Sequence, residues 1–326
     1  MNKKTARRDT LVYWRYVALW QAVAYLPAPL ARLLPRLLGR LWYRFGSDMQ
    51  RSQVRNNLAR VYSFRGQTCT ENDVLDAYRQ YVRYWVDSFR LHRIDPETLT
   101  TRVNDHGVPH LHDAAANGGA VFVTGHLGSW ELGAAFCMTR GLKLTAVAEE
   151  VKPRRLFNRF VDLRAKAGIS VLALRRGTDL LGPLSQAMED DHALATLLAD
   201  RDLTRGGPIV SFFGEPCRMP AGPAALAVRT GRPIVAGAFF VAASNRYDGV
   251  VRPSFTPDTA DLYDITQTIA HELEQLILHD PTQWHVFVPN WLCDREPNHP
   301  VVVAWQNGDD WVALARQEYL TKRRRL

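Results

Sequence analysis

Cysteine is scarce in this 326-residue sequence: four residues, Cys69, Cys137, Cys217 and Cys293, with no Cys-x-x-Cys pair among them. That excludes a disulfide framework and metal-knuckle spacing, and it points to a reducing compartment. Long apolar runs are also missing. Tyr16 to Ala31 is uncharged but only sixteen residues long and interrupted by Pro27 and Pro29, short of the roughly twenty a spanning helix needs. Lys3 to Arg8 looks like the basic start of a signal peptide, yet Arg15, Gln21 and two tryptophans make a poor apolar segment behind it. No internal repeat is present. His-Glu-x-x-His is absent, which removes zinc-protease chemistry, and Ser129 is no nucleophile-elbow serine because Leu127 and Glu131 stand where glycines would be needed.

Acidic residues are nearly absent from one end. Residues 1–66 hold thirteen Lys and Arg against Asp9 and Asp48, a net +11, and the whole-chain charge of +8 then leaves −3 for the remainder. A basic charge confined to one end, echoed at Lys322 to Arg325, implies a polyanionic partner surface. Leu30, Leu33, Leu34, Leu37, Leu38, Leu41, Trp42 and Phe45 recur at steps of three and four, flanked by Arg32, Arg36, Arg40 and Arg44. Arginines rimming such a face describe a helix lying in a membrane interface, with Pro35 kinking it or marking its start. Packing on the protein's own core is the alternative. Nucleic acid is disfavoured, because no zinc-finger, RNA-recognition or basic-zipper pattern accompanies the charge.

Residues 46–66 are polar and basic, with a loop at Ser63 to Gly66. Thr70-x-x-Asp73 then caps a helix that carries Val74, Ala77, Tyr78, Tyr81, Val82, Trp85, Val86 and Phe89 on one face. Further on, apolar runs alternate with helical patterns: strands at 120–123, 144–148, 170–174 and 193–199, helices at 154–167 and 178–189. This predicts an α/β fold with a central, mostly parallel sheet flanked by helices on both faces, behind an N-terminal basic amphipathic helical membrane-binding cap. Strand 209–213, a turn at Gly214 to Pro216, a helix start near Gly222, strand 233–241 with an antiparallel partner at 249–253, a helix at 265–278 and a strand near 284–288 complete the reading. Its divisions are a membrane-binding segment 1–66, a core 67–295 and a basic tail 296–326, within one large domain.

In such sheets functional groups collect at the carboxyl ends of strands. His126 ends one, Glu149 another, and Asp200-Arg201-Asp202-Leu-Thr-Arg205 a third. His126 and Glu131 are five residues apart, a separation that on one regular helix turns side chains roughly 140° away from each other. They meet only if His126 lies before the helix and Glu131 in its first turns, and Gly125 and Gly128 give the loop its freedom. A carboxylate so placed could hold one imidazole nitrogen while the other faces a substrate hydroxyl, the arrangement of general base catalysis on an alcohol. A satisfied histidine in a turn is the plainer reading of that pair alone. Backbone donors near Gly222 could meet a phosphate or thioester oxygen.

The ordered set His126-x4-Glu131, Ala199-Asp-Arg-Asp-Leu-Thr-Arg205, Phe212-Phe-Gly-Glu215, Arg218-Met-Pro-Ala-Gly-Pro-Ala-Ala-Leu-Ala227 and Trp284-His285 with Trp291 resembles the actinobacterial phosphatidylinositol mannoside acyltransferases. These belong with the lipid A late acyltransferases in the glycerolipid acyltransferase superfamily, whose motif is His-x4-Asp/Glu. The likeness runs from about residue 11 to 295. It implies palmitoyl transfer from acyl-CoA to a mannose hydroxyl of a phosphatidylinositol mannoside, by a peripheral protein at the cytoplasmic face of the plasma membrane, with no cofactor and no metal. It further implies His126 as base with Glu131 orienting it, and places Glu149, Arg164, Asp200, Arg201 and Asp202 among the family's polar positions; Arg205 and Arg218 join them as substrate-binding candidates. On that mechanism Arg201 or the backbone around Gly128 and Gly222 could meet the oxyanion, and Arg164 and Arg218 could hold phosphates. Three alternatives stand beside it: a lipid A-type enzyme using acyl carrier protein, an acyl-thioester hydrolase, and a non-catalytic lipid-binding protein.

Overall fold

The computed structural model describes residues 3–166, 168–175 and 178–323. Four helices precede any strand: α1 (Lys3–Tyr25), α2 (Ala28–Phe45), α3 (Asp48–Phe64) and α4 (Glu71–Arg90). The capping box of Thr70 and Asp73 forms as expected at the start of α4. Of the two readings of Pro35, the helix start falls, since Pro35 lies inside α2, which begins at Ala28 behind Pro27. Residues 48–64, read as a polar stretch, form α3, capped by Ser47 and buried through Val54, Asn57, Leu58 and Val61.

α2 packs the small residues Ala31, Pro35 and Gly39 inward. Most of its leucine stripe points the other way, with Leu33 54% exposed, Leu37 58% and Phe45 76%, while Leu34 and Trp42 of the same stripe pack inward. Leu11, Trp14, Leu19 and Tyr25 of α1 are exposed as well. Among the described residues no helix is long and apolar enough to cross a membrane.

The chain then runs α5 (Pro96–Thr101), β1 (Val103–His106), α6 (Pro109–Ala115), β2 (Ala120–Thr124), α7 (Trp130–Thr139), β3 (Lys143–Glu149), α8 (Arg154–Lys166), β4 (Ile169–Leu174), α9 (Leu181–Ala187) and β5 (Ala193–Leu198). After β6 (Ile209–Phe212), β7 (Glu215–Arg218), α10 (Gly222–Thr230), β8 (Ile234–Val241) and β9 (Tyr247–Val251), it ends in α11 (Leu262–His279), α12 (Leu292–Arg295), α13 (Pro300–Asn307) and α14 (Trp311–Arg323). Seven strands form one sheet in the order β1-β9-β8-β2-β5-β3-β4, and β6 with β7 forms a separate hairpin. Within the sheet only the β8–β9 pairing is antiparallel.

Alternation along β2 explains why both faces are covered. Val121 and Val123 enter an apolar cluster with Leu226, Ile269 and Leu273, whereas Ala120 enters another with Ala134, Cys137 and Leu144. Side chains of successive strand residues point to opposite faces, so a continuously apolar strand requires helices on both.

Three further expectations fail. Residues 284–288 form no strand, only a bridge from Trp284 to Leu127. The turn expected at Gly214 to Pro216 is shorter than read, because β7 already begins at Glu215. Residues 296–323 are no tail, since α13 and α14 bury Val301, Val302, Ala315 and Tyr319 in the main core. Arg316 of α14 binds Asp261 at 2.6 Å and Asp264 at 2.8 Å. Arg324 and Arg325 of the expected basic end lie outside the described residues.

Candidate active site

β2 and β5 are hydrogen-bonded neighbours in parallel register, with Thr124 opposite Leu198. Their carboxyl ends therefore emerge side by side, and the pairing continues one step as the Ala199 N–H donates to the Thr124 carbonyl at 2.9 Å. The next side chains out are His126 and Asp200. His126 Nδ1 lies 2.8 Å from Asp200 Oδ1, and the His126 backbone N–H donates to Oδ2 at 2.9 Å. The indole N–H of Trp284 donates to the same Oδ2 at 2.9 Å, and the Asn290 side chain donates to the Asp200 carbonyl at 3.0 Å. Asp200 is fully buried.

A buried carboxylate with three donors stays ionised. Burial pushes the Asp200 carboxyl up, but His126 and the surrounding donors outweigh it and hold it below its ordinary value. Burial likewise pushes the His126 imidazole down, and Asp200 more than compensates, leaving it raised. With Nδ1–H donated to the carboxylate, Nε2 carries the free lone pair.

The loop shape depends on one glycine. Gly128 sits at φ +53°, and a Cβ there would lie 2.0 Å from the Phe239 carbonyl. Its N–H donates to Gln283 and its carbonyl accepts from Nε2 of His285. Burial drives the His285 pKa down to about 3, so that ring is neutral.

Glu131 does not hold His126, and this corrects the expected dyad. It sits in the first turn of α7, buried, where it accepts from Ser88 Oγ at 3.1 Å, Tyr84 Oη at 3.2 Å and Arg164 Nη2 at 3.1 Å. Tyr84 in turn accepts from the Trp130 indole N–H at 3.1 Å, and the Arg164 guanidinium lies 4.5 Å from the Trp130 ring centroid. Glu131 thus ties α4, α7 and α8 together. Burial raises its carboxyl further than Arg164 and Ser88 lower it.

A cavity of about 330 Å³ opens at His126. Glu149, Arg164 and Arg201 line it, as do Tyr84 and Trp130; its apolar wall includes Phe157, Phe160 and Leu198. A smaller apolar cavity of about 50 Å³, walled by Phe122, Phe136 and Phe239, shares Thr124, Trp130 and Thr196 with it. Three sequence candidates lie elsewhere. Asp202 is buried and accepts from the backbone N–H groups of Thr204 and Gly207, shaping its own loop. Arg205 is exposed in that loop, at φ +60°. Arg218 is buried, donates to the Gly207 carbonyl at 3.0 Å and faces Glu318 at 3.6 Å, so it is a structural tie and not a free phosphate ligand. Gly222 does not line the cavity, and the Gly128 N–H is already taken. Arg32, Arg36, Arg40 and Arg44 are exposed on α2.

Sequence reasoning missed Tyr84 and Ser88, which fell outside the apolar face read on α4, and missed the pairing of Asp200 with His126. Asp200 directly follows an apolar strand, and that was the available signal; the strand order that makes it a neighbour of His126 was not.

A family model, that of the bacterial lipid A biosynthesis acyltransferases, matches residues 1–293. The chain is 35% identical over 289 residues to a phosphatidylinositol mannoside acyltransferase of Mycobacterium tuberculosis (strain ATCC 25618 / H37Rv), covering 87% of this chain and 90% of that protein. It is 34% identical over 284 residues to the protein of the same name from Mycolicibacterium smegmatis (strain ATCC 700084 / mc(2)155), covering 86% and 91%.

Proposed function

The chain belongs to the bacterial lipid A biosynthesis acyltransferase family, and from that premise we propose that it moves a long-chain acyl group, palmitoyl for preference, from acyl-CoA to a mannose hydroxyl of a phosphatidylinositol mannoside. The observation that carries this reading is the imidazole of His126, held at Nδ1 by Asp200 with its other nitrogen at the cavity. His126 Nε2 takes the proton of the sugar hydroxyl as its oxygen attacks the thioester carbon, and Asp200 stabilises the imidazolium. The tetrahedral intermediate then expels the CoA thiolate, which recovers the proton from the imidazolium. Ester and free thiol are the products. Transfer is direct from thioester to hydroxyl, with His126 acting as base and no covalent acyl-enzyme.

Arg201 supplies positive charge for the oxyanion, and it is close enough to His126 to oppose protonation of that ring. Glu149 accepts from sugar hydroxyls, and Arg164 stands beside the acceptor's phosphate. The apolar wall of Phe157, Phe160 and Leu198 suits a fatty chain, and the adjoining apolar cavity could take its end. The exposed leucines of α2 and the tryptophan and leucines of α1 support a peripheral protein whose helices lie in an anionic interface, at the cytoplasmic face of the plasma membrane.

The test is a transfer assay of purified protein with palmitoyl-CoA against lysophosphatidic acid, mono- and di-mannosylated phosphatidylinositol, and a lipid A precursor. Ester formation on a mannoside is expected. Failure with every mannoside defeats the acceptor assignment, and CoA release at a rate indifferent to acceptor identifies a hydrolase instead.

A further inference from the structure

On the other face of α4, away from Tyr84 and Trp85, α2 and α4 enclose a second groove, of about 860 Å³, lined by Arg32, Arg36, Arg79 and Arg83 with Asp76 as its acid. The helices can form it because they meet almost backbone to backbone. A Cβ on Gly39 would lie 2.7 Å from the Arg79 Cα, so α4's arginines come up beside α2's own.

The guanidiniums divide into two pairs. Arg83 binds the buried Asp87 at 2.8 Å, and Arg79 binds Asp76 at 2.7 Å while its Nε is buried without a partner. Arg32 and Arg36 are exposed and make no ion pair with another described residue. With Arg79 and Arg83 offset by Asp76 and Asp87, the guanidiniums of Arg32 and Arg36 leave the groove a net excess of positive charge, with forked donors suited to phosphate oxygens. Leu33, half-exposed, lines the same groove, and Leu37 continues the apolar ridge one turn on.

We infer that this groove binds the phosphate headgroup of an anionic phospholipid, separately from the catalytic cavity, with the acyl tails of that lipid lying along Leu33 and Leu37. The leucines favour a lipid over free phosphate. The inference rests on the membrane reading above but goes beyond it, because it assigns headgroup binding to the α2–α4 groove and not to the basic charge of α2 as a whole. Arg40 and Arg44 provide the internal control, being on the same helix, of the same charge, and outside the groove.

Full-length protein is sedimented with vesicles of phosphatidylcholine alone or of phosphatidylcholine with phosphatidylinositol. Arg32→Gln/Arg36→Gln is expected to weaken partitioning onto the anionic vesicles about a thousandfold, since it removes two guanidiniums bonded to phosphate, with circular dichroism and melting temperature unchanged. Arg40→Gln/Arg44→Gln removes the same charge from outside the groove and is expected to cost about thirtyfold, the diffuse attraction alone. Glycerol 3-phosphate at millimolar concentration should not displace the protein from the vesicles. Equal losses in the two double variants overturn the site and leave diffuse attraction, with the membrane reading intact. Displacement by glycerol 3-phosphate, lost in Arg32→Gln/Arg36→Gln, overturns the lipid in favour of a soluble phosphate. Absence of wild-type binding to either vesicle removes both this site and the membrane reading.

Discussion

Two buried carboxylates stand within the first turns beyond the sheet, and their neighbours give them opposite characters. Asp200 accepts from an imidazole, a backbone N–H and an indole, and is held ionised below its ordinary value. Glu131 accepts from Arg164, Ser88 and Tyr84, but there burial outweighs the donors and raises it. The carboxylate close to His126 in sequence is therefore the structural one, and the one 74 residues away in the chain is its partner. Pairing follows strand adjacency, which sequence separation does not report.

Variants should separate the two roles. His126→Ala removes the proposed base and should lower kcat about 10⁴-fold, measured by ester formation with folding checked by circular dichroism. Asp200→Asn should lower kcat about 10³-fold. Because Asp200 is what raises His126, and burial alone would depress it, this variant should also move the acid limb of kcat/KM to lower pH. Glu131→Ala should leave that limb in place and instead destabilise the fold by about 3 kcal/mol, since it leaves Arg164 half of a broken buried pair. Tyr84→Phe, which takes away only the hydroxyl linking Trp130 to Glu131, should cost about 1 kcal/mol in urea unfolding.

The two carboxylates also predict opposite pH dependence of stability. Asp200 is lowered, so its contribution is present above its unfolded value near 3.8 and is lost as pH falls through its folded one. Glu131 is raised, so its contribution is full below its unfolded value near 4.5 and is lost as pH rises through the folded one. In urea titrations the wild-type advantage over Asp200→Asn should shrink towards acid. The advantage over Glu131→Ala should shrink towards neutrality.

Much of the sheet was legible because β2, β5 and β8 are continuous apolar runs buried on both faces, and the capping box at Thr70 marked α4. α3 was missed because only Val54, Leu58 and Val61 mark its apolar side among polar neighbours. Arg218 looked like a free cation because Glu318 is distant in the chain and the Gly207 carbonyl is brought to it only by the β6–β7 pairing. Glu318 belongs to α14, in a segment beyond the family match that was read as a tail. The leucine stripe of α2 was read correctly as a stripe. What the sequence could not decide was which face of α2 turns inward, and Ala31, Pro35 and Gly39 decide it by allowing close approach to α4.

The most direct measurement is a nitrogen-15 NMR titration of the His126 imidazole in wild type, Asp200→Asn and Glu131→Ala. The expected result is a pKa above 6.5 in wild type and in Glu131→Ala, and below 6.5 in Asp200→Asn. A fall in Glu131→Ala, with Asp200→Asn unchanged, would return the base to the carboxylate five residues along and contradict the pairing described above.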